Sequence, residues 1–166
     1  MKKLVTLITA IMLSACVSLT PEPINPAGWL EWAGRNSNNA RLLSGEKRAT
    51  NDIATWSARH LANKERFVPA PRDRWDMPFN RHGTLYGDCN SWALLMIAEA
   101  IQFSDYKPEN VALLITRVNG ELHTVAALKH ERGWYISDHH QPTVLHLKDY
   151  PHPVLAVMKN GRWSKL

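Results

Sequence analysis

Apolar residues follow one another almost without interruption from Trp92 to Phe103, and this run is the strongest pattern in the chain. Apolar character all round is typical of a helix that is buried on several sides. The run is preceded by Tyr86-Gly87-Asp88. Gly87 allows a sharp bend, and the Asp88 carboxylate can accept a backbone N–H of a first helical turn. The pattern therefore predicts a buried helix with Cys89 in its first turn.

A second helical pattern lies upstream, between Glu46 and about Glu65. The residues that recur at the spacing of one helical face are Ala49, Ile53, Trp56 and His60/Leu61. Val68-Pro69-Ala70-Pro71 ends this helix, because proline cannot continue it and forces extended chain. The stretch from Arg72 to Thr84 is then predicted to be a long connection of the kind that often carries function.

After the central helix the periodicity becomes that of strands. Asn119-Gly120 is a strong hairpin signal between two segments rich in β-formers. Because helices come first and an antiparallel meander follows, the pattern predicts an α+β domain. The predicted strands are Val111–Val118, Leu122–Lys129, Trp134–Asp138, Val144–Leu147 and Val154–Met158, and Asn160-Gly161 turns into a last segment at Arg162-Trp163.

The N-terminus has the layout of an export signal. A basic start is followed by an apolar run from Leu4 to Met12 that is too short to span a bilayer. The next four residues, Leu13-Ser14-Ala15-Cys16, resemble the lipobox of bacterial lipoproteins. The resemblance implies that residues 1–15 are a signal peptide and that Cys16 carries lipid, whereas the alternative is an ordinary secretory signal cut near Ala15. Val17, which is not aspartate, points to the outer membrane.

Residues 16–27 are expected to be the lipidated N-terminus and a proline-rich tether, and residues 28–166 a single domain. The formal charge of +5 is mild, and no stripe of basic residues interleaved with aromatics suggests nucleic acid as a partner. The chain has two cysteines. If Cys16 carries lipid, Cys89 is left as a single thiol, which makes it a candidate nucleophile. The alternative is a buried, inert cysteine.

A nucleophilic cysteine needs a base, and the chain offers eight histidines. His123 lies within a predicted strand, where it alternates with Val125 and Ala127 and should share their face. Asp138 closes the next predicted strand, so the two side chains can be neighbours in one sheet. Cys89, His123 and Asp138 would then supply a nucleophile, a base and a group that orients the base.

These residues resemble the transglutaminase-like cysteine peptidase superfamily, which has papain-like topology. The resemblance rests on Gly87-Asp88-Cys89, His123-Thr124-Val125 and Trp134-x-x-x-Asp138, and on the looser upstream matches Asn51-Asp52, Phe67, Asp73, Trp75 and Pro78. The sequence resembles in particular the bacterial transglutaminase-like cysteine proteinases. This group includes periplasmic proteases that cleave surface adhesins. The resemblance implies N-terminal helices, a nucleophile at the start of a central buried helix, and a C-terminal antiparallel sheet.

The sequence departs from the pattern of the bacterial group in the residues that follow Cys89, and this difference concerns calcium binding. The bacterial group usually continues Gly-Asp-Cys with Glu-Asp-Tyr-Ala, and acidic residues around the cysteine bind calcium in relatives. This chain continues with Asn90-Ser91-Trp92-Ala93, so Asp88 alone remains as a calcium ligand. Calcium prefers several oxygen ligands, and we therefore expect no cofactor.

Other polar and aromatic residues are candidates for lining a substrate cleft, for binding an oxyanion or for binding a metal ion. Trp75 is the best candidate to line a substrate cleft, and Asn80 or Tyr86 could add a donor to an oxyanion. The histidine-rich segment near the C-terminus lacks the spacing of a helical metal motif, and its prolines favour a solvated loop over a metal site. Its members are His139, His140, His146 and His152.

The sequence thus predicts a lipid-anchored thiol hydrolase on the periplasmic face of the outer membrane. It would cleave or transfer a peptide or isopeptide acyl group through a thioester on Cys89, with a protein or peptide of the envelope as substrate. One alternative is a cell-wall peptidase of the NlpC type, which also places a cysteine at a helix start. Another is a non-catalytic binding module that retains the fold.

Overall fold

The computed structural model describes residues 53–70, 75–103, 106–159 and 162–165. The predicted signal peptide, the lipidation site Cys16 and the tether lie outside these described residues. Within them, no helix combines the length and the apolar character that crossing a bilayer requires.

Two helices form the α part of the fold, α1 at Ile53–Lys64 and α2 at Cys89–Phe103. Helix α1 lies within the predicted range. Trp56 and His60 are fully buried as expected, but Leu61 is 47% exposed, so its assignment to the buried face was wrong. His60 lies one helical turn after Trp56 and continues the buried stripe to Asn63, whereas one further residue rotates the side chain outward.

Helix α2 is the buried centre, as its apolar run predicts. Every residue from Asn90 to Ala100 is buried. Trp56 Nε1 of α1 donates a hydrogen bond to the Met96 carbonyl at 2.9 Å and holds the two helices together. Even Glu99 is fully buried, and its carboxylate accepts a bond from Asn63 Nδ2 at 2.9 Å.

A small three-stranded sheet leads into α2. Its strands are β1 (Phe67–Pro69), β2 (Phe79–Arg81) and β3 (Thr84–Gly87), in the order β1-β3-β2, with β1 parallel and β2 antiparallel to β3. The predicted long connection is therefore wrong in this part of the chain. His82 and Gly83, with φ of 51° and 87°, form the two-residue turn between β2 and β3. The sequence pattern does not indicate this turn, because its first residue is histidine.

The C-terminal half forms a six-stranded antiparallel sheet in the order β7-β6-β5-β4-β8-β9. Asn119-Gly120 makes the predicted hairpin turn, with φ of 50° and 89°. The predicted strand at Val144–Leu147 shrinks to two residues, because a short 3₁₀ helix begins at Leu147. The strands are β4 (Val111–Val118), β5 (Glu121–His130), β6 (Gly133–Ser137), β7 (Leu145–His146), β8 (Val154–Lys159) and β9 (Arg162–Lys165), and a second 3₁₀ helix precedes them at Pro108–Asn110.

The six-stranded sheet buries side chains on both faces. Ala126 and Leu128 of β5 belong to the cluster that includes Trp92 and Met96 of α2. The alternate residues of the strand, such as Val125, belong to a second cluster on the other face. Helices, small sheet and large sheet thus form the predicted α+β architecture, with α2 between α1 and the large sheet.

A hydrogen-bond network around His60, which we call the His60 network, ties α1 to both α2 and β6. His60 Nε2 donates to the Gln141 carbonyl at 3.2 Å, so Nδ1 accepts from the Ser137 hydroxyl at 2.9 Å. Trp92 Nε1 donates to the same hydroxyl oxygen at 3.2 Å. Burial lowers the pKa of His60 to about 4, against the opposing effect of the Gln141 bond. The network therefore holds a neutral imidazole.

Glycine is required at position 87 because there is no room for a side chain. Its φ is not positive, so the expected sharp bend is not its reason. A Cβ at this position would lie 2.6 Å from the Ser91 Cβ, closer than real contacts allow. The absence of a side chain lets the end of β3 lie directly against the first turn of α2.

Gly87→Ala should therefore destabilise the protein by roughly 1–3 kcal/mol, because the new methyl group overpacks the helix start. Urea denaturation of a double-mutant cycle with Ser91→Gly measures the cause. In the Ser91→Gly background the alanine should cost clearly less, with a coupling of at least about 1 kcal/mol. Additive effects of the two changes would contradict the close contact.

The His60 network predicts acid sensitivity. The pKa of His60 is about 6.5 unfolded and about 4 folded, so the unfolded state binds an extra proton between these values. This contribution to stability is complete above pH 6.5 and is lost as the pH falls toward 4. His60→Asn should lower stability at pH 8 and reduce the slope of stability against pH between 4 and 6.5 by about one proton, or ~1.4 kcal/mol per pH unit.

The control is His82→Asn, at an exposed turn residue whose positive φ asparagine tolerates. Urea denaturation from pH 4 to 8 should give this variant the slope of the unmodified protein. Equal slopes for His60→Asn and the unmodified protein would contradict a neutral, buried His60.

Candidate active site

Cys89 is the first residue of α2, and Asp88 caps the helix as predicted. The Asp88 carboxylate accepts the Ser91 N–H at 2.9 Å, and its carbonyl accepts the Trp92 N–H at 3.0 Å. Cys89 is partly exposed and is a free thiol. The unpaired N–H groups and the dipole at this end of the helix favour a negative charge, so the position suits a thiolate.

His123 lies near the start of β5 and pairs with Thr116 of β4. Its Nε2 and the Asp138 Oδ1 are 2.7 Å apart, which leaves Nδ1 for a second partner. Burial disfavours the charged ring, but the bond to Asp138 and the bond and charge of the Cys89 side chain outweigh it, and together they raise the pKa of His123 to about 9. The imidazole thus interacts with both of the groups that the sequence placed around it.

Asp138 follows the last residue of β6 and is completely buried. Besides the His123 contact, its Oδ1 accepts the backbone N–H of His140 at 2.9 Å, and its Oδ2 accepts the Tyr150 hydroxyl at 2.9 Å. Burial opposes ionisation, yet the His123 hydrogen bond and charge and the two further donors hold the pKa of Asp138 well below its usual range. The carboxylate is therefore charged and fixed in orientation.

The rings of the two histidines that follow Asp138 lie against the His123 ring. The expected solvated loop is wrong for the His139 side chain, whereas His140 is exposed as expected. The His140 ring stacks on that of His123, with centroids 4.6 Å apart and planes inclined by 6°. The His139 ring lies 5.2 Å from that of His123 and also packs on Phe67. The side chain of His139 is only 8% exposed. Burial and the neighbouring His140 and His123 lower its pKa to about 3, so it is neutral.

Asn90 directly follows Cys89, at a position where the resemblance described above predicts an acidic residue. Its Oδ1 accepts the Thr124 hydroxyl at 2.6 Å, and the Cys89 Sγ lies 3.9 Å from the same oxygen. Thr124 is the neighbour of His123 in β5. The amide therefore fastens the start of α2 to the strand that carries the imidazole, which explains why a neutral residue is accommodated here.

The sequence did not single out Tyr150, Asn90 or Thr124 as parts of this site. Tyr150 ends a 3₁₀ helix and reaches Asp138 only through the path of the chain after β7, which no local pattern encodes. His139 and His140 could have been found, because they directly follow Asp138 in the sequence.

The three further candidates, Trp75, Asn80 and Tyr86, take no part in the hydrogen bonds described above for Cys89, His123 and Asp138. Trp75 is 38% exposed and makes an edge contact with Trp163 at 6.1 Å. Asn80 lies in β2, where its side-chain oxygen accepts the Gly83 N–H at 3.1 Å. Tyr86 lies in β3, three residues before Cys89, and pairs with Phe79 of β2. Their roles in a cleft or an oxyanion site stay predictions.

The described residues bring together few of the oxygen ligands that a calcium ion needs. Calcium takes six to eight oxygen ligands. Within residues 53–70, 75–103, 106–159 and 162–165, one group of three or more His, Cys, Asp or Glu side chains converges, and it consists of His123, Asp138 and His139. Two imidazoles and a carboxylate that already has three hydrogen bonds do not fit calcium, and Asp88 is not a member of this group.

Comparisons with known proteins give a fold and not a family. No family model and no curated protein matches the sequence. Two solved structures of Legionella pneumophila LapG are similar, each at 13% identity and a TM-score of 0.53. The calcium-bound form covers 86% of this chain and 88% of that chain, and the other covers 82% and 84%. At this identity the likeness shows that the chain has the fold of LapG.

Proposed function

We propose that this protein is a thiol hydrolase of the cysteine peptidase type, with Cys89 as nucleophile, His123 as base and Asp138 as the group that orients the base. The observation that carries the proposal is the His123 imidazole, which is bonded to a buried carboxylate through Nε2 and interacts with the Cys89 side chain. A helix start, a base and a buried acid around one thiol are the parts that nucleophilic catalysis needs.

The geometry supports a two-stage reaction. His123 Nδ1 takes the thiol proton, and the Cys89 thiolate attacks the carbonyl carbon of a peptide or isopeptide bond. Backbone N–H groups at the start of α2 would stabilise the oxyanion. The tetrahedral intermediate expels the amine, which receives the proton from His123, and leaves a thioester. Water, or an acceptor amine, then attacks the thioester carbonyl and gives a proton to His123. The C–S bond breaks, the acyl product leaves, and the proton on His123 returns to the Cys89 sulfur.

Asp138 acts through the imidazole. Its bond to Nε2–H keeps Nδ1 free for the thiol and stabilises the imidazolium that forms in each half of the reaction. The Tyr150 hydroxyl and the His140 N–H keep the carboxylate in place. Together with His123 Nε2 they make three donors on one buried side chain.

The fold supports this assignment at a coarser level. A LapG-like fold is compatible with the resemblance to the transglutaminase-like cysteine proteinases that the sequence carries. We extend the proposal to a protein or peptide substrate in the cell envelope and to a lipid on Cys16 that anchors the enzyme to the outer membrane. No step of the proposed reaction uses calcium.

The first test is the reactivity of Cys89. At pH 6 an ordinary thiol is less than about 1% thiolate, so a paired thiolate should react with iodoacetamide roughly ten- to a hundredfold faster than free cysteine. Intact mass spectrometry measures the rate, with denatured protein as the control for intrinsic reactivity. His123→Ala should reduce the rate to that of the denatured chain. Equal rates in native and denatured protein would contradict the proposed thiol hydrolase and favour the alternative of a non-catalytic binding module.

The second test removes one donor from Asp138. Tyr150→Phe leaves a buried carboxylate oxygen without its hydroxyl, so the protein should lose about 1–3 kcal/mol of stability, and Cys89 should be alkylated more slowly at pH 6. The matched control is Tyr135→Phe, at a half-buried tyrosine of β6 that makes ring contacts. An effect on stability without an effect on alkylation would mean that Tyr150 supports the fold and not the base.

A further inference from the structure

One buried nitrogen beside the triad is not used by the proposed reaction. The side chain of His139 is more than nine-tenths buried, and its Nδ1 is a buried nitrogen without a hydrogen-bond partner. It lies 3.8 Å from the Asp138 Oδ1, which is too far for a hydrogen bond. A buried nitrogen without a partner costs free energy, so a lone pair or N–H aimed at this point calls for a ligand.

The atoms around this nitrogen have the spacing of a metal site. His123, Asp138 and His139 each offer one ligand atom, and these atoms lie within 4.8 Å of one another. The Asp138 Oδ1 is 2.7 Å from His123 Nε2 and 3.8 Å from His139 Nδ1. Ligand atoms about 2.0–2.2 Å from a tetrahedral zinc ion are roughly 3.3 Å apart. Small movements of the two rings would therefore bring all three atoms to an ion.

We propose that His123, Asp138 and His139 form a site for Zn²⁺ or a similar borderline divalent transition-metal ion. Two imidazoles and one carboxylate are a ligand set that suits zinc and does not suit calcium or magnesium. The Asp138 carboxylate also has the outer partners that a metal ligand needs, because the Tyr150 hydroxyl and the His140 N–H hold it in place. The fourth position is left to water.

Occupation of the site would switch off the base. The zinc–nitrogen bond forms at His123 Nε2, so the single proton of a neutral ring moves from Nε2 to Nδ1, whereas an imidazolium releases its Nε2 proton to solvent. In either case Nδ1 carries a proton and has no lone pair with which to take the proton of Cys89. This consequence rests on the proposed function, whereas the binding of the ion rests on the three ligand atoms alone.

The test of binding uses Cys89→Ala, because a thiolate next to an imidazole could hold zinc by itself. Isothermal titration with ZnCl₂ should give one ion per chain for this variant. In the Cys89→Ala background, His139→Phe keeps a ring against Phe67 but removes the nitrogen, and the affinity should fall at least about tenfold. No binding by Cys89→Ala, or unchanged affinity after His139→Phe, would overturn the site.

The matched control is His140→Phe in the same background. It keeps a ring on His123 and removes the nitrogens of a histidine that is outside the ligand set, so the affinity should stay within about threefold. Circular dichroism checks that both phenylalanine variants are folded. A loss as large as that of His139→Phe would overturn the assignment of His139 as the third ligand.

The test of inhibition uses the chain with its cysteine. Zinc should slow the alkylation of Cys89 in the unmodified protein, and His139→Phe should relieve this effect while it leaves the zinc-free rate fast. If Cys89→Ala binds zinc through His139 but Cys89 is unreactive with and without the ion, the metal site stands and the proposed hydrolase fails. If Cys89 is reactive and His139→Phe does not change inhibition, the hydrolase stands and the metal site fails.

Discussion

The buried carboxylate of Asp138 is the constraint on which this structure depends. A fully buried charge is tolerated only when donors surround it, and Asp138 has three, from His123, the His140 backbone and Tyr150. These donors come from β5, from the turn after β6 and from the 3₁₀ helix after β7. Satisfying one carboxylate therefore fixes three separate segments of the C-terminal half relative to one another.

The same carboxylate connects the fold to the chemistry. Its neighbour Ser137 takes part in the His60 network, which ties β6 to both helices. Helix α2 in turn carries Cys89 at its first residue, and the contact between Asn90 and Thr124 fastens that end to the strand of His123. The thiol and the imidazole are thus carried by elements that hydrogen bonds hold together at several points, as a site that must keep its geometry requires.

Local patterns were enough to predict both helices and most strands of the large sheet, and they singled out Cys89, His123 and Asp138 as candidates. The apolar run of α2, the cap at Asp88 and the Asn119-Gly120 turn are encoded within a few residues, so the sequence predicts them well. What it did not predict has two sources. The turn at His82-Gly83 is local, but its first residue is a non-glycine residue at positive φ, whereas Tyr150 reaches Asp138 only in the folded chain. The burial of His139 likewise follows from its packing against Phe67, 72 positions earlier in the chain.

The charge state of His123 tests the central claim most directly. Histidine labelled with ¹⁵N allows the protonation of both ring nitrogens to be followed from pH 5 to 10. The account predicts that His123 carries both protons at pH 7 and loses one only near pH 9, and that Cys89→Ala lowers this pKa because the thiolate partner is gone. A neutral His123 at pH 7 in the unmodified protein, or a pKa of His123 that Cys89→Ala does not change, would contradict it.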